Sequence, residues 1–408
     1  MRFLIKFSQY FVGLLFIISG GIKANDALGF SYKLVEYFDV FHQIMTSWDM
    51  SALASLMNFF SDLALPMAMF ICVFEIVLGL AIILGVRMRF VMWNMLLMII
   101  FFTWLTGYTA TCDPLNAENI SCVTDCGCFG DAIPLTPTQS FIKDLILFVF
   151  ILILFIKHKE VKPLIGQRES NILLLLSIVF STIFTVYTFR HLPVKDFRAY
   201  KPGVNLMEAM TGKAGVSKFF YALKDKKTGE VKEFEAFPDD WQSNFDYVDY
   251  KQKEVIAPID PKITDFGIYD DVLVDQKDIY VNDSTITLIV VSKGLSYLGD
   301  FSTKEGVING FVPFEGVKEQ LEPLAYLSKG VESLGHHFIA LCSNGIEEMD
   351  EFRNEMQMPF SFFSGDEKMI KTIIRSNPGL MLVKNGVIIR KWHINDCPTV
   401  SDVEELLK

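Results

Sequence analysis

Five stretches of almost uninterrupted apolar residues, at positions 7–22, 63–86, 90–106, 141–156 and 172–189, constrain this 408-residue chain more than any other feature. Each is 16–24 residues long, and roughly 20 apolar residues wound as a helix cross the hydrocarbon core of a bilayer. The runs are apolar on every face, so they do not read as amphipathic surface helices. Buried in a soluble protein, they would need more polar covering than the first 190 residues contain. The overall composition, 51% hydrophobic with a formal net charge of −11, conceals a division. Residues 1–190 hold 12 Lys and Arg against 13 Asp and Glu, whereas residues 191–408 hold 25 against 35. The sequence therefore predicts an α-helical membrane bundle followed by an acidic water-soluble module. It excludes a disordered chain and a basic nucleic-acid binder.

Orientation follows from the basic residues at helix ends. Arg2 and Lys6 precede the first run, Arg87 and Arg89 fill the turn after the second, and Lys157, Lys159, Lys162 and Arg168 link the fourth to the fifth. If all five runs cross, these places share one side, which is expected to be cytoplasmic. The segment 24–62, the loop 107–140 and everything after Arg190 then face outward, so the expected location is a bacterial inner membrane with the C-terminal domain in the periplasm. A cleaved signal peptide is the other reading of the first run, but Ile22-Lys23-Ala24 lacks the small residues of a cleavage site. In 24–62, Phe30, Leu34, Tyr37, Phe38, Phe41 and Met45 recur at helical spacing, with Trp48 beyond them. One or two amphipathic helices capping the bundle are expected there.

One carboxylate interrupts the second run. Glu75 inside a membrane costs several kcal/mol unless it is neutralised, paired or facing a wet cavity. It reads either as a hydrogen-bonded tie between helices or as a proton-relay or quinone-facing group. Cys72, one turn earlier, reads as a small buried hydrophobe.

Four of the seven cysteines crowd into one outward loop: Cys112, Cys122, Cys126 and Cys128. Four cysteines allow three pairings, and the sequence does not choose among them. A disulfide between Cys126 and Cys128, one residue apart, would close a strained and readily reduced ring. Three chemistries compete: two structural staples, a redox relay exchanging with a soluble partner, and zinc. Zinc is disfavoured because two separated Cys-x-x-Cys knuckles are missing, and no metal is expected. Trp104, Phe101, Phe102 and Tyr108 precede the loop and could line a quinone site or form an interfacial aromatic belt.

Gly20, Gly21 and Lys23 after the first run, Glu75 with Leu78-Gly79 in the second, and Cys126-Gly-Cys-Phe-Gly-Asp131 before the fourth together resemble the DoxX/MauE membrane family over about residues 5–160. The stretch Ala132 to Asp144 is similar to that family's lead-in to its fourth helix. The resemblance implies a four-helix bundle, similar in outline to quinone-linked disulfide-forming reductases of the vitamin K epoxide reductase type, and work in thiol oxidation or its support. It implies Cys126 and Cys128 as the motif cysteines, with Cys112 and Cys122 as their upstream partners. The fifth helix departs from the pattern and reads as a tether.

Residues 195–260 read as a β-rich connector, with a hairpin turning at Lys227-Thr-Gly229. Trp241, Phe245, Tyr247 and Tyr250 read as its core. From 261 to 408, β and α elements alternate: strands at 285–291, 337–342 and 359–363, helices at 314–335, 346–356 and 368–375, a hairpin through Asn385-Gly386, and a closing helix at 399–407. That order, with Pro378 ahead of the hairpin, resembles thioredoxin. The resemblance implies that Pro378 is the family's cis-proline beside a partner-binding groove. The family's Cys-x-x-Cys is replaced by Ser292-Lys-Gly-Leu-Ser-Tyr-Leu-Gly299, so the module is expected to bind without catalysing. Cys342 and Cys397 read as two unrelated thiols rather than a pair.

Domains are therefore expected at 1–160 (bundle), 161–194 (fifth helix and linker), 195–260 (connector) and 261–408 (thioredoxin-like α/β domain). The expected function is thiol–disulfide redox: electrons pass between a periplasmic dithiol client and a membrane quinone through Cys126, Cys128, Cys112 and Cys122, with Glu75 and Trp104 beside the quinone. The rival is a membrane scaffold or assembly factor whose loop disulfides only shape it.

Overall fold

The computed structural model describes residues 2–112, 122–123, 127, 129–212, 216–256, 260–282, 285–304 and 306–407. Five of its helices are long and apolar enough to cross a membrane. They are α1 (Arg2–Asn25), α4 (Ala64–Leu84), α5 (Met88–Thr111), α6 (Pro137–Lys157) and α7 (Gln167–Arg190), with α2 (Ala27–Ser47) and α3 (Ser51–Asp62) between the first two. The chain is thus a multi-pass membrane protein built as a helical bundle. Gly85, at φ +69°, ends α4 in the left-handed conformation that glycine adopts without strain. Thr136 starts α6 with a capping box closed by Gln139, and Pro137 stands in the first turn.

Helix α2 buries Phe30, Leu34, Tyr37, Phe38 and Phe41 against the bundle, as its spacing predicts. Helix α3 buries only Ala54 and leaves Leu53, Leu56 and Phe59 exposed, an arrangement suited to the bilayer surface. One end of the bundle carries the α4–α5 turn and the α6–α7 link, joined by Leu164 N–H donating to Leu84 O at 3.0 Å. The other end carries α2, α3, the cysteine loop and the C-terminal half.

Beyond α7, strands β1 (Val216–Asp225), β2 (Val231–Phe234) and β3 (Phe245–Ile256) form an antiparallel sheet in the order β2-β1-β3. Tyr247 and Tyr250 do not form its core: they are 48% and 54% exposed. Each meets ring neighbours at the ribbon's surface instead, Tyr247 with Phe237 and Tyr250 with Phe219.

The largest sheet has the order β10-β9-β4-β7-β8. Its strands are β4 (Ile286–Ser292), β7 (His337–Cys342), β8 (Ser361–Ser364), β9 (Gly379–Lys384) and β10 (Val387–His393). Strands β4, β7 and β8 pair in parallel, whereas β9 and β10 run antiparallel and join through Asn385 and Gly386, both at positive φ. Alternate residues of β4 face opposite cores. Leu288 and Val290 meet α8 (Val317–Ser333), α9 (Ile346–Glu355) and α11 (Val400–Leu407). Ile289 and Val291 meet α10 (Glu367–Ile373) together with Tyr200, Leu206, Ile263 and Phe266. Residues 199–210 and 263–281 thus pack on one face of this sheet, and β1–β3 are inserted between them. Between β4 and α8 stands a two-stranded ribbon, β5 (Gly299–Lys304) with β6 (Val307–Pro313), that the sequence did not disclose.

Candidate functional site

Glycines bring α1 and α4 into backbone contact. A Cβ on Gly13 would lie 2.9 Å from Gly79 O, one on Gly79 2.7 Å from Gly13 O, and one on Gly20 2.9 Å from Cys72 O. That approach sets Glu75 of α4 against the last turns of α1. Lys23 Nζ lies 2.5 Å from Glu75 Oε1, and Ser19 Oγ donates to Oε2 at 3.0 Å. Both charged side chains are almost wholly buried, and Lys23 also lies over the rings of Phe102 (4.5 Å) and Phe30 (5.2 Å). Glu75 is thus tied to α1 by an ion pair and a hydrogen bond.

Beside it lies a second charged group that sequence reasoning missed. Asp144 of α6 is buried, accepts from Thr106 Oγ1 at 3.0 Å and pairs with Lys143 at 2.8 Å. Lys143 in turn lies 4.9 Å from the centre of the Phe129 ring. Glu75, Lys23, Lys143, Asp144 and Phe129 share a small pocket of about 30 Å³. The signal was available, since Asp144 interrupts the fourth apolar run as Glu75 does the second.

Of the four loop cysteines, Cys112 and Cys122 form a disulfide with 5.9 Å between Cα atoms. Cys126 and Cys128 lie outside the described residues, although their neighbours Gly127 and Phe129 lie within them. Cys112 caps α5, and the Tyr108 hydroxyl lies 3.6 Å from its sulfur. A disulfide sulfur carries no proton, so the tyrosine is the donor. The four aromatic residues before the loop divide. Phe102 turns inward to Lys23, whereas Trp104 is half exposed, stacks on Phe41 at 4.6 Å, and has Tyr108 edge-on to the same ring at 5.5 Å.

A quinone ring does not fit the pocket beside Glu75, which has room for about one water. Of this aromatic group Trp104 is exposed, Tyr108 half-buried and Phe41 buried beneath them, so the flat apolar face on offer to a quinone ring is that of Trp104, edged by Tyr108. If a quinone binds, those residues would hold it.

Above the loop, where the bundle meets the C-terminal half, lies a cavity of about 680 Å³. Gly127, Phe129 and Asp131 form part of its wall, with the ends of α1 and α2, residues 193–204, Lys262 and Arg375. One ion pair joins the halves beside it, and a second group ties the chain after α7 to the outer sheet. Arg375 grips Asp26, the N-cap of α2, through Nε at 2.8 Å. Burial works to raise the Asp26 pKa, but the Arg375 guanidinium, helped by Arg198, holds it below the usual carboxylate range. Asp196 is shared by Arg198 (2.9 Å) and Lys391 (2.5 Å); against its burial, the two cations bring it down to about 2. Nearby, the Tyr32 ring of α2 lies under Lys293 at 4.7 Å, Lys371 at 5.5 Å and Arg375 at 5.5 Å. Burial, with Lys371 alongside, brings Lys293 down to about 8.

Lys293 belongs to the Ser292–Gly299 stretch, so this end of the β sheet rests on the bundle's own α2. The Asn377–Pro378 peptide is cis. Pro378 is buried in an apolar recess with Val290, Leu295 and Phe360, and Asn377 Oδ1 accepts from Lys293 N–H at 2.9 Å. Cys342 and Cys397 are separate thiols, pushed by burial up to about 12 and about 11.

Residues 1–157 match the family model for methylamine utilisation protein MauE, so the membrane-spanning region is MauE-like. No curated protein and no solved structure matches the chain.

Proposed function

We propose that this chain, with its MauE-like membrane region, is an inner-membrane thiol–disulfide redox protein. In this reading the loop cysteines pass electrons between a periplasmic dithiol client and membrane quinone, and a thioredoxin-like domain without catalytic cysteines docks the client. The observation that carries it is the loop's position between two surfaces. At Cys112 it meets an aromatic wall in which Trp104 is exposed, Tyr108 half-buried and Phe41 buried, and at Gly127 and Phe129 it meets the junction cavity.

The electron count closes with two exchanges. A client dithiol gives up two electrons and two protons as its sulfurs join, and a disulfide between Cys126 and Cys128 opens to two thiols. Those thiols then close again while the Cys112–Cys122 disulfide opens. A quinone at the aromatic wall supplies the final two-electron, two-proton acceptor. Lys23 and Glu75 hold a fixed charge pair one layer below Phe129, and the Tyr108 hydroxyl is in place to give a proton to Cys112 as its bond opens. The thioredoxin-like reading is supported by the parallel β4–β7–β8 set, the β9–β10 hairpin and the cis Pro378 that leads into it.

The test is thiol trapping of the full chain in nanodiscs, read by mass. One loop pair is expected to open under mild dithiol and to close again on adding a short-chain quinone, and Cys126→Ser or Cys128→Ser is expected to abolish the cycle. The scaffold reading is favoured by one observation, the Cys112–Cys122 disulfide stapling the end of α5. Four cysteines that stay oxidised throughout would establish that reading and end the redox one.

A further inference from the structure

The junction cavity carries a charge opposite to that of the half that encloses it. Residues 191–408 hold ten more acids than bases, yet the cavity is lined by seven cations and only three carboxylates. The two buried arginines do not account for this, because Asp196 holds Arg198 and Asp26 holds Arg375. The surplus comes from Lys195, Lys201 and Lys262, which are exposed and which, among the described residues, have no carboxylate partner for their ammonium groups. Beneath them the lining is apolar, with Ile22, Phe30, Phe129, Ile133 and Leu135.

We infer that this cavity binds an acidic, partly apolar peptide segment of the thiol client and presents it to the cysteine loop. The inference rests on the redox reading for the client's identity, but not for the binding itself. A segment of a few residues fits 680 Å³, its carboxylates meeting the three lysines and its apolar side chains the floor. An acidic segment is repelled by the net charge of the outer half and accepted at this mouth, so the field orients the client as well as attracting it. The lining sets cations above an apolar floor, the pairing that a peptide with both carboxylates and apolar side chains meets, and such a peptide is the occupant.

The test uses the full chain in phosphatidylcholine nanodiscs and a fluorescein-labelled, cysteine-free decapeptide with four Glu among apolar residues, beside its Gln counterpart. Anisotropy should show the Glu peptide bound about tenfold more tightly, three exposed ion pairs together supplying that factor, with the preference fading in high salt. The triple variant Lys195→Gln/Lys201→Gln/Lys262→Gln should lose the preference, and the corresponding triple Arg variant, which keeps charge and fold, should retain it. Equal binding of the two peptides, or a preference that survives the triple Gln change, overturns the inference. So does a Glu preference that phosphatidylglycerol abolishes at constant ionic strength, which would make a lipid headgroup the occupant. Because the probe has no thiol, its binding can succeed where the disulfide cycle fails, and the two readings fall separately.

Discussion

At the scale of single residues, the Lys23–Glu75 pair states the terms on which charge is kept inside the bundle. Each ion alone would cost several kcal/mol in so apolar a place, and their contact, with Ser19 and two aromatic faces, offsets that cost. Removing one partner strands the other. Lys23→Met or Glu75→Leu is therefore expected to lose about 3–5 kcal/mol of stability, while the double variant, with no charge left to bury, should recover most of it. Unfolding by SDS in bicelles measures the cycle; a double variant as unstable as the sum of the singles would mean that the charges do not act on each other. Glu75 was legible in the sequence as a residue that must have a partner. Which partner was not, because Lys23 lies 52 positions away and only the helix crossing brings it near.

At the scale of elements, that crossing depends on which glycine faces the neighbour. Gly20 and Gly21 look alike in the sequence, but a Cβ on Gly20 would meet Ile76, the Cys72 carbonyl and Glu75 within 2.9 Å, whereas one on Gly21 meets nothing within 4 Å. Gly20→Ala should cost on the order of 1–3 kcal/mol by forcing α1 from α4, and Gly21→Ala should be neutral or slightly stabilising by helix propensity. The same bicelle titration reads both, and equal effects would sink the account of the crossing. The elements that the sequence disclosed owe it to strong local signals. Five apolar runs became α1 and α4–α7, and Asn385-Gly386 became the turn of β9–β10. The β5–β6 ribbon was hidden because it is largely exposed and the apolar residues of β6, Val307, Ile308, Phe311 and Val312, stand in adjacent pairs rather than alternating. Tyr247 and Tyr250 of β3 misled for the opposite reason: their composition speaks of a core, but each meets, among the described residues, only single ring neighbours on an exposed ribbon. Residues 199–210 were hidden by distance, since their partners lie on the far side of the inserted β1–β3 sheet.

For the whole molecule, the question is what holds an acidic outer half onto a membrane bundle, and the contacts answer with a few charged groups around α2. Asp26 is the anion among Arg375 and Arg198, with Tyr32 beside it under Lys293 and Lys371. Its carboxyl titrates lower when docked than when free, so the stability it contributes is complete above the ordinary carboxylate pKa of about 4. It is lost as pH falls through the lower, docked value. Hydrogen exchange should therefore find the amides of residues 27–34 and 371–376 protected at neutral pH and freed in acid, while the strands of the central sheet stay closed. Asp26→Asn should free the same amides at neutral pH, by about 3 kcal/mol since Arg375 is left buried without its anion, and should remove the acid transition. If instead those segments stay protected in Asp26→Asn, the halves are held by the other contacts. Those are Asn395 Nδ2 donating to Arg190 O, His191 against Asp396, and Asn25 with the Lys195 backbone. The two sets differ in consequence. Asn25 with Lys195, and Asp26 with Arg375, lie on the wall of the junction cavity, while the contacts of residues 190–191 lie at the end of α7. A docking that depends on Asp26 makes the cavity's shape depend on it too, so Asp26→Asn should also weaken binding of a Glu-rich peptide at neutral pH, where the peptide's carboxylates are still charged.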